Sequence, residues 1–187
     1  MTNVQYDIED YKDCEIINMY HERLEKGYSK DEIMKSIYAK GRDNARTPMQ
    51  WDDTSNGGFS DHTPWLGVNP NYKEINAADQ MADDSSVFRF YQKLISLRKD
   101  HPVMAHGDLQ LCCPEDGPVI AYTRSYQDET WLAVHNFSQD TQKFQYTGTG
   151  LQLDTSVLLS NYPEHDICPE DEILTLKPYE TVIFRLS

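Results

Sequence analysis

The sequence predicts an α+β chain, with helices and a long loop in the first half and an all-β antiparallel sandwich in the second. Three observations carry this prediction. Apolar residues recur at spacings of three and four as far as about residue 99, the period of helices that bury one face. Seven short runs with strand-like alternation follow Pro102, and short strands between turn residues are the pattern of a sandwich. Between the helical stretches, Arg42 to Asp84 holds no sustained period and is studded with Gly and Pro, so it reads as a long irregular connection. The change of character near Pro102 divides the chain into residues 1–102 and a β-sandwich domain, 103–187.

Taken in order, Cys14, Ile17, Tyr20 and Leu24 form one stripe of a helix within Asp7–Gly27, which the glycine can stop. Ser29 and Glu32 form a capping-box pattern ahead of Ile33 and Ile37, and Gly41 closes this second helix. A third helix fits Ser85 to Lys99, where Val87, Phe90, Tyr91, Leu94 and Arg98 keep helical spacing up to His101-Pro102. The predicted strands are 108–112, 119–126, 130–137, 143–146, 156–159, 173–176 and 181–186. In the third of these, Trp131, Ala133, His135 and Phe137 occupy one face, and Leu132, Val134 and Asn136 the other. Both faces are largely apolar, which marks a central strand.

Composition narrows the function classes. The 187 residues carry 31 acidic and 17 basic side chains, a net charge of −14, which argues against nucleic-acid phosphate or an anionic membrane as partner. No run approaches the roughly 20 apolar residues of a spanning helix. The start MTNVQYDIEDYKD has neither a basic n-region nor an apolar h-region, so the expected location is cytoplasmic. Cys14, Cys112, Cys113 and Cys168 match no zinc or redox spacing and read as reduced thiols. The histidines at 21, 62, 101, 106, 135 and 165 share no motif spacing, so no metal and no cofactor are expected.

Chemistry concentrates in Gly41–Asp52, GRDNARTPMQWD, which puts Arg42, Arg46, Asp43, Gln50, Trp51 and Asp52 into one predicted loop. Arginine offers a rigid fork of donors to hydroxyls or carboxylates, and an indole can cover the apolar face of a sugar ring. On residue types alone two readings stay open: a polyol-binding wall, or arginines paired with Asp43 and Asp52 merely to stiffen the loop. Asp7, Glu9 and Asp10 read as a charge cluster at a helix N-terminus rather than a metal site. Trp65 reads either as a rim platform for a second sugar unit or as a loop anchor, and Trp131 as core.

GRDNARTPMQWDD resembles a hallmark segment of glycoside hydrolase family 13, in its oligo-1,6-glucosidase and α-glucosidase branch. MTNVQYDIEDYKDCEIINMY, PWLGVNPNYKEINAADQ, FYQKLISLRKDHPV and LKPYETVIFRL resemble that branch in order and spacing, so the resemblance covers nearly the whole chain. Dextran glucosidases, trehalose-6-phosphate hydrolases and sucrose isomerases share much of the pattern. The resemblance implies that residues 1–102 are the C-terminal remnant of a catalytic (β/α)8 barrel, with Met1 at an internal position just after strand eight. It also implies that the Asp nucleophile, the Glu acid/base and the stabilising Asp lie before this chain, which resembles none of their motifs. Retaining hydrolysis needs two carboxyl groups about 5 Å apart across the scissile bond, so the chain is expected to be inactive alone. Gluco-oligosaccharide would then be a ligand only in the full enzyme, with the N-terminal part of the barrel as partner.

The resemblance further implies that an Arg of this segment reaches the floor of the terminal glucose pocket beside an upstream carboxylate; Arg46 is the first choice and Arg42 the second. Gln50 and Trp51 would support the loop, and Asp43, Asn44, Asp52 and Asp53 would hold its turns. A non-catalytic sugar-binding or interaction sandwich is the alternative function. Helices built to cover a barrel are expected to expose Ile17, Ile33 and Ile37.

Overall fold

The computed structural model describes residues 2–112, 117–149, 156–164, 166–168 (backbone only) and 172–186. Two compact units emerge, Met1–Phe88 and Arg89–Ser187.

In the first unit, Ile8–Asp10 forms a 3-10 turn ahead of helix α1, Cys14–Glu25. Asp13 caps α1 by accepting the Glu15 N–H, and Gly27 leaves it at φ +83°, a conformation that glycine adopts without a Cβ penalty. Helix α2, Lys30–Lys40, starts with both halves of the Ser29/Glu32 capping box formed. Its face of Ile33, Met34 and Ile37 is buried against Ile16 and Tyr20 of α1 and against Ile8 and Tyr11. The buried face of α1 is therefore set by Ile16 and Tyr20, whereas Cys14 and Leu24 of the expected stripe are exposed and Ile17 is half-buried. Ile33 and Ile37, expected at the surface, are fully buried, because α1 and α2 cover each other. Burial of such side chains stabilises each by about 1.5–3 kcal/mol. Gly41 ends α2 where a Cβ would lie 2.7 Å from the Ile37 carbonyl and 3.0 Å from Ile16 Cδ1.

The long connection is more ordered than its sequence suggests. It contains 3-10 turns at Arg42–Ala45, Ser55–Gly58 and Pro70–Lys73, and a short helix α3, Ala77–Ala82, capped by Asn76 through the Asp79 N–H.

Helix α4, Val87–Asp100, runs into α5, Pro102–His106, which starts on proline as position N1 favours. Phe90, Leu94 and Leu97 pack with Val103 against Trp131, Ala133, Leu159 and Ile183 of the sheet. By compactness α4 thus groups with the strands, earlier than the change of sequence character at Pro102. Val87, Tyr91 and Ile95 form its exposed apolar stripe.

Eight strands are described, all antiparallel where paired: β1 Asp108–Leu111, β2 Val119–Tyr126, β3 Glu129–Asn136, β4 Gln142–Gln145, β5 Ser156–Ser160, β6 Asp166–Cys168, β7 Ile173–Leu176 and β8 Thr181–Arg185. The expectation of seven lacked β6. One sheet runs β1-β2-β3-β8-β5 and the other β4-β7-β6, so β3 is central. Register pairs Leu132 with Phe184 and Val134 with Val182, and these side chains meet Phe144, Leu174 and Leu176 in the sandwich core. Successive residues alternate faces, so Trp131 and Ala133 turn to the helices while Leu132 and Val134 turn to the second sheet. Cys14 and Cys112 are free thiols; Cys113, His165 and the Cys168 side chain lie outside the described residues.

Candidate functional site

The loop after Gly41 is organised around one carboxylate. Asp43 sits in the Arg42–Ala45 turn with its side chain wholly buried. Its Oδ2 accepts the backbone N–H groups of Lys12 (2.7 Å) and Asp13 (3.1 Å), and its Oδ1 accepts Arg46 Nη1 (3.3 Å). A carboxylate taken out of water needs such donors to repay its lost hydration. The arrangement ties the segment before α1 to the arginine loop through one residue. Asn44 adds a second tie, accepting from Val4 N–H at 3.0 Å and donating to the Tyr38 carbonyl at 3.1 Å.

The two arginines differ in setting. Arg46 has a side chain 35% exposed, and one nitrogen is held by Asp43. Arg42 is 60% exposed and stands 3.8 Å from Asp13 Oδ2 and 3.6 Å from Glu15, beyond hydrogen-bonding distance. Arg46 is thus the guanidinium with a fixed root and a free edge, able to present donors to a hydroxyl or carboxylate. Asp52, the other expected partner, turns away from both: it accepts the Thr54 N–H at 2.9 Å and the Thr54 hydroxyl. Those bonds, the hydroxyl first, hold its carboxyl below the usual carboxylate range.

Gln50 is buried, and its Nε2 donates to Asn71 Oδ1 (2.9 Å) and the Ile75 carbonyl (2.6 Å). Trp51 is 53% exposed as a residue, and its backbone makes the attachments, donating to Gly57 (2.7 Å) and accepting from Ala78 (3.0 Å). Trp65 is 68% exposed, so its indole is not buried as an anchor within this chain. Asp7 gives no side-chain cap to the Ile8–Asp10 turn, where Glu9 and Asp10 lie. Among the described residues no cluster of His, Cys, Asp and Glu could hold a metal ion, and no helix is long and apolar enough to cross a membrane.

Several supporting residues escaped the sequence reading. Asp13 is buried as the α1 cap and faces Arg42, and its place just before an apolar-periodic run was the available signal. Asn69 reaches back to the Thr2 carbonyl at 3.0 Å and Asn71 to the Thr2 hydroxyl at 2.7 Å, contacts that no local pattern announces. Tyr6 donates to the Gly67 carbonyl, and burial above all, with Tyr11, Asp43 and Asp10 nearby, pushes its phenol up to about 12. It therefore stays a donor across the physiological range.

Comparison with known proteins matches this region first. A family profile described as the catalytic domain of α-amylase matches residues 1–107, over half of the chain. The chain belongs to the α-amylase family, glycoside hydrolase family 13. A second profile, the C-terminal domain of the α-amylase SusG, matches residues 119–183, so the family match runs from catalytic-domain sequence into the sandwich. An oligo-1,6-glucosidase of Halalkalibacterium halodurans is 46% identical over 98% of this chain and 33% of its own length. The trehalose-6-phosphate hydrolase of Bacillus licheniformis superposes with a TM-score of 0.89 at 39% identity, covering 99% of this chain and 34% of that one. An isomaltulose synthase mutant from Erwinia rhapontici, solved with its natural substrate sucrose, gives 0.85 at 36%, over 99% and 33%. The chain therefore spans about a third of the length of the relatives it matches, their C-terminal part.

Proposed function

We propose that this chain is the C-terminal part of an exo-acting α-glucosidase that cleaves α-1,6 or α-1,4 bonds in short gluco-oligosaccharides with retention, and that it supplies one wall of the glucose pocket. The observation that carries the reading is Arg46, rooted on the buried Asp43 with its free edge outward. In this mechanism the nucleophile, acid/base and stabilising carboxylates reside in the preceding barrel segment, about 5 Å separating the reacting pair. Residues 1–102 complete the barrel and residues 103–187 form the β-sandwich domain. Arg46 pairs with an upstream carboxylate and holds a terminal sugar hydroxyl, Arg42 lies beside it, and Asp43, Gln50 and Trp51 keep the loop in shape. The chain alone is inactive, the reaction uses no cofactor, and the enzyme works in the cytoplasm. A sugar-binding sandwich is less well supported: Trp131 is buried, and the exposed Phe137 and Tyr179 lie at the turns beyond β3 and before β8, not across a sheet face.

The test grafts this chain in place of the corresponding third of the H. halodurans oligo-1,6-glucosidase. Arg46→Ala is expected to cost about 2–4 kcal/mol in kcat/KM, the loss of a charged hydrogen-bonding partner in a closed site, with folding retained. Near-normal kcat/KM in Arg46→Ala with loss in Arg42→Ala would move the role to Arg42. Two harmless substitutions would reduce the loop to a structural part.

A further inference from the structure

A cleft of about 210 Å³ lies within the second unit, between α4 and the helix-facing side of the five-stranded sheet. Its walls are apolar, from Phe90, Leu94, Met104, Tyr122, Ala133 and Ile183. An apolar cavity of about 150 Å³ is enough to take benzene, so this space admits a single substituted ring.

Its charge is what sets the cleft apart. Arg98 and Arg124 both line it, and no Asp or Glu does among the described residues. Arg124 is half-buried and donates from Nε to the Val103 carbonyl (3.1 Å) and from Nη2 to the Gly107 carbonyl (2.7 Å). Arg98 donates from Nη1 to the Met104 carbonyl at 3.0 Å. These bonds cap α5, yet each guanidinium has five N–H donors, and neutral carbonyls do not balance a charge. In a chain of net charge −14, the cleft brings together two arginines, Arg124 half-buried and Arg98 exposed, with no carboxylate among its described lining residues, so an anion entering it meets positive charge without a competing partner. The remaining polar wall is neutral: His135 Nδ1 lies 3.1 Å from Thr181 Oγ1, and burial lowers the imidazole pKa.

The geometry points to a binding site for a small organic carboxylate with an apolar body, benzoate in size, its ring between α4 and the sheet and its carboxylate against Arg98 and Arg124. The ring replaces water on apolar walls, and the carboxylate supplies the anion that the chain itself withholds. This inference is independent of the glycosidase reading.

The test is an NMR titration of the full chain with benzoate, benzyl alcohol and acetate. Benzoate is expected to saturate while shifting the Ala133 methyl and Trp131 indole signals, and the other two probes to bind at least roughly tenfold more weakly. Arg98→Met should weaken benzoate by roughly tenfold and leave benzyl alcohol unchanged; Arg98 is exposed, so folding is retained. Ala133→Leu should fill the cleft and abolish binding. If that variant fails to fold, the probe comparison and Arg98→Met still decide. Equal affinity for benzoate and benzyl alcohol, shifts confined to other surfaces, or no saturable binding would each overturn the proposal, leaving the arginines as caps of α5.

Discussion

Replacing Asp43 by alanine tests the organisation of the loop most directly. The side chain is wholly buried and answers three donors, two backbone N–H groups on one oxygen and Arg46 on the other. Removing it leaves the Asp13 N–H unsatisfied in a buried position, at about 2 kcal/mol, and the Lys12 N–H, which water can reach, at about 1 kcal/mol. Arg46 is partly exposed and regains water, so its lost pair adds at most about 0.5 kcal/mol. The total, about 3–3.5 kcal/mol, is a large fraction of the roughly 5–15 kcal/mol that holds a domain folded. With a urea dependence near 1 kcal/mol per M for a unit of this size, the midpoint of the first unit should fall by about 3 M. Amide hydrogen exchange in urea reads this on α1 and α2, with β3 and β8 of the second unit as internal reference. Asp43→Asn should be milder, near 1 kcal/mol, because its amide oxygen can still accept both backbone donors while its NH2 faces Arg46. A shift below about 0.5 M for alanine would refute the reasoning. An asparagine variant as damaged as alanine would show instead that the arginine pair carries the loss.

Gly41→Ala should destabilise the first unit by about 1–3 kcal/mol, since the new Cβ meets the Ile37 carbonyl at 2.7 Å and Ile16 at 3.0 Å; a urea titration showing no change would mean that α1 and α2 can separate freely there. His135 is held below its ordinary pKa of 6.5 by burial. The unfolded chain therefore takes up its proton first, and the stability of the second unit should be unaffected above pH 6.5 and decline as the pH falls below it. His135→Gln should remove that part of the slope, checked by comparing urea midpoints of the sheet at pH 7.5 and 5.5. In the grafted enzyme, Arg46→Ala should lower kcat/KM while leaving the unfolding free energy within about 1 kcal/mol of the parent, and a collapse in stability would assign the arginine to folding instead.

Where an element is specified by neighbouring residues, the sequence made it legible. The Ser29/Glu32 box needs only a three-residue spacing, and the two apolar faces of β3 need only alternation; both are present as read. Of the stripe expected for α1, Tyr20 is buried and Ile17 half-buried, but Cys14 and Leu24 are exposed and Ile16 is buried in their place, because apolar spacing within one helix does not say which stripe meets a partner. The choice of Ile16 and Tyr20 is made by Ile33 and Ile37 across the α1–α2 contact. Helix α3 has six residues, too few to display a period, and depends on the Asn76 cap instead. Strand β6, with three residues, is likewise too short to alternate visibly. Within the site, the loop residues were legible by type, but the donors that Asp43 serves lie 30 and 31 positions away. Nothing local in Asp-Tyr-Lys-Asp reveals that two of its N–H groups point at a carboxylate in another turn.

The contrast between the two units bears on why an arginine loop would be built this way. The sandwich core is held by Leu132, Val134, Leu174, Phe184 and their apolar neighbours, and apolar contact is non-directional, so such a core tolerates small shifts. The loop unit buries Asp13, Asp43, Gln50, Asn69 and Asn76, groups whose burial is costly unless their hydrogen bonds are met. Those bonds are directional, so they fix the backbone where apolar packing would only confine it. That suits the proposed role of the segment, holding a guanidinium at one place and angle, since a displacement of 1 Å at such a group can cost on the order of 100-fold in rate. It also couples the loop to α1. Asp43 accepts from the backbone ahead of that helix with one oxygen and from Arg46 with the other, so one buried carboxylate bonds both the α1 N-terminus and the guanidinium.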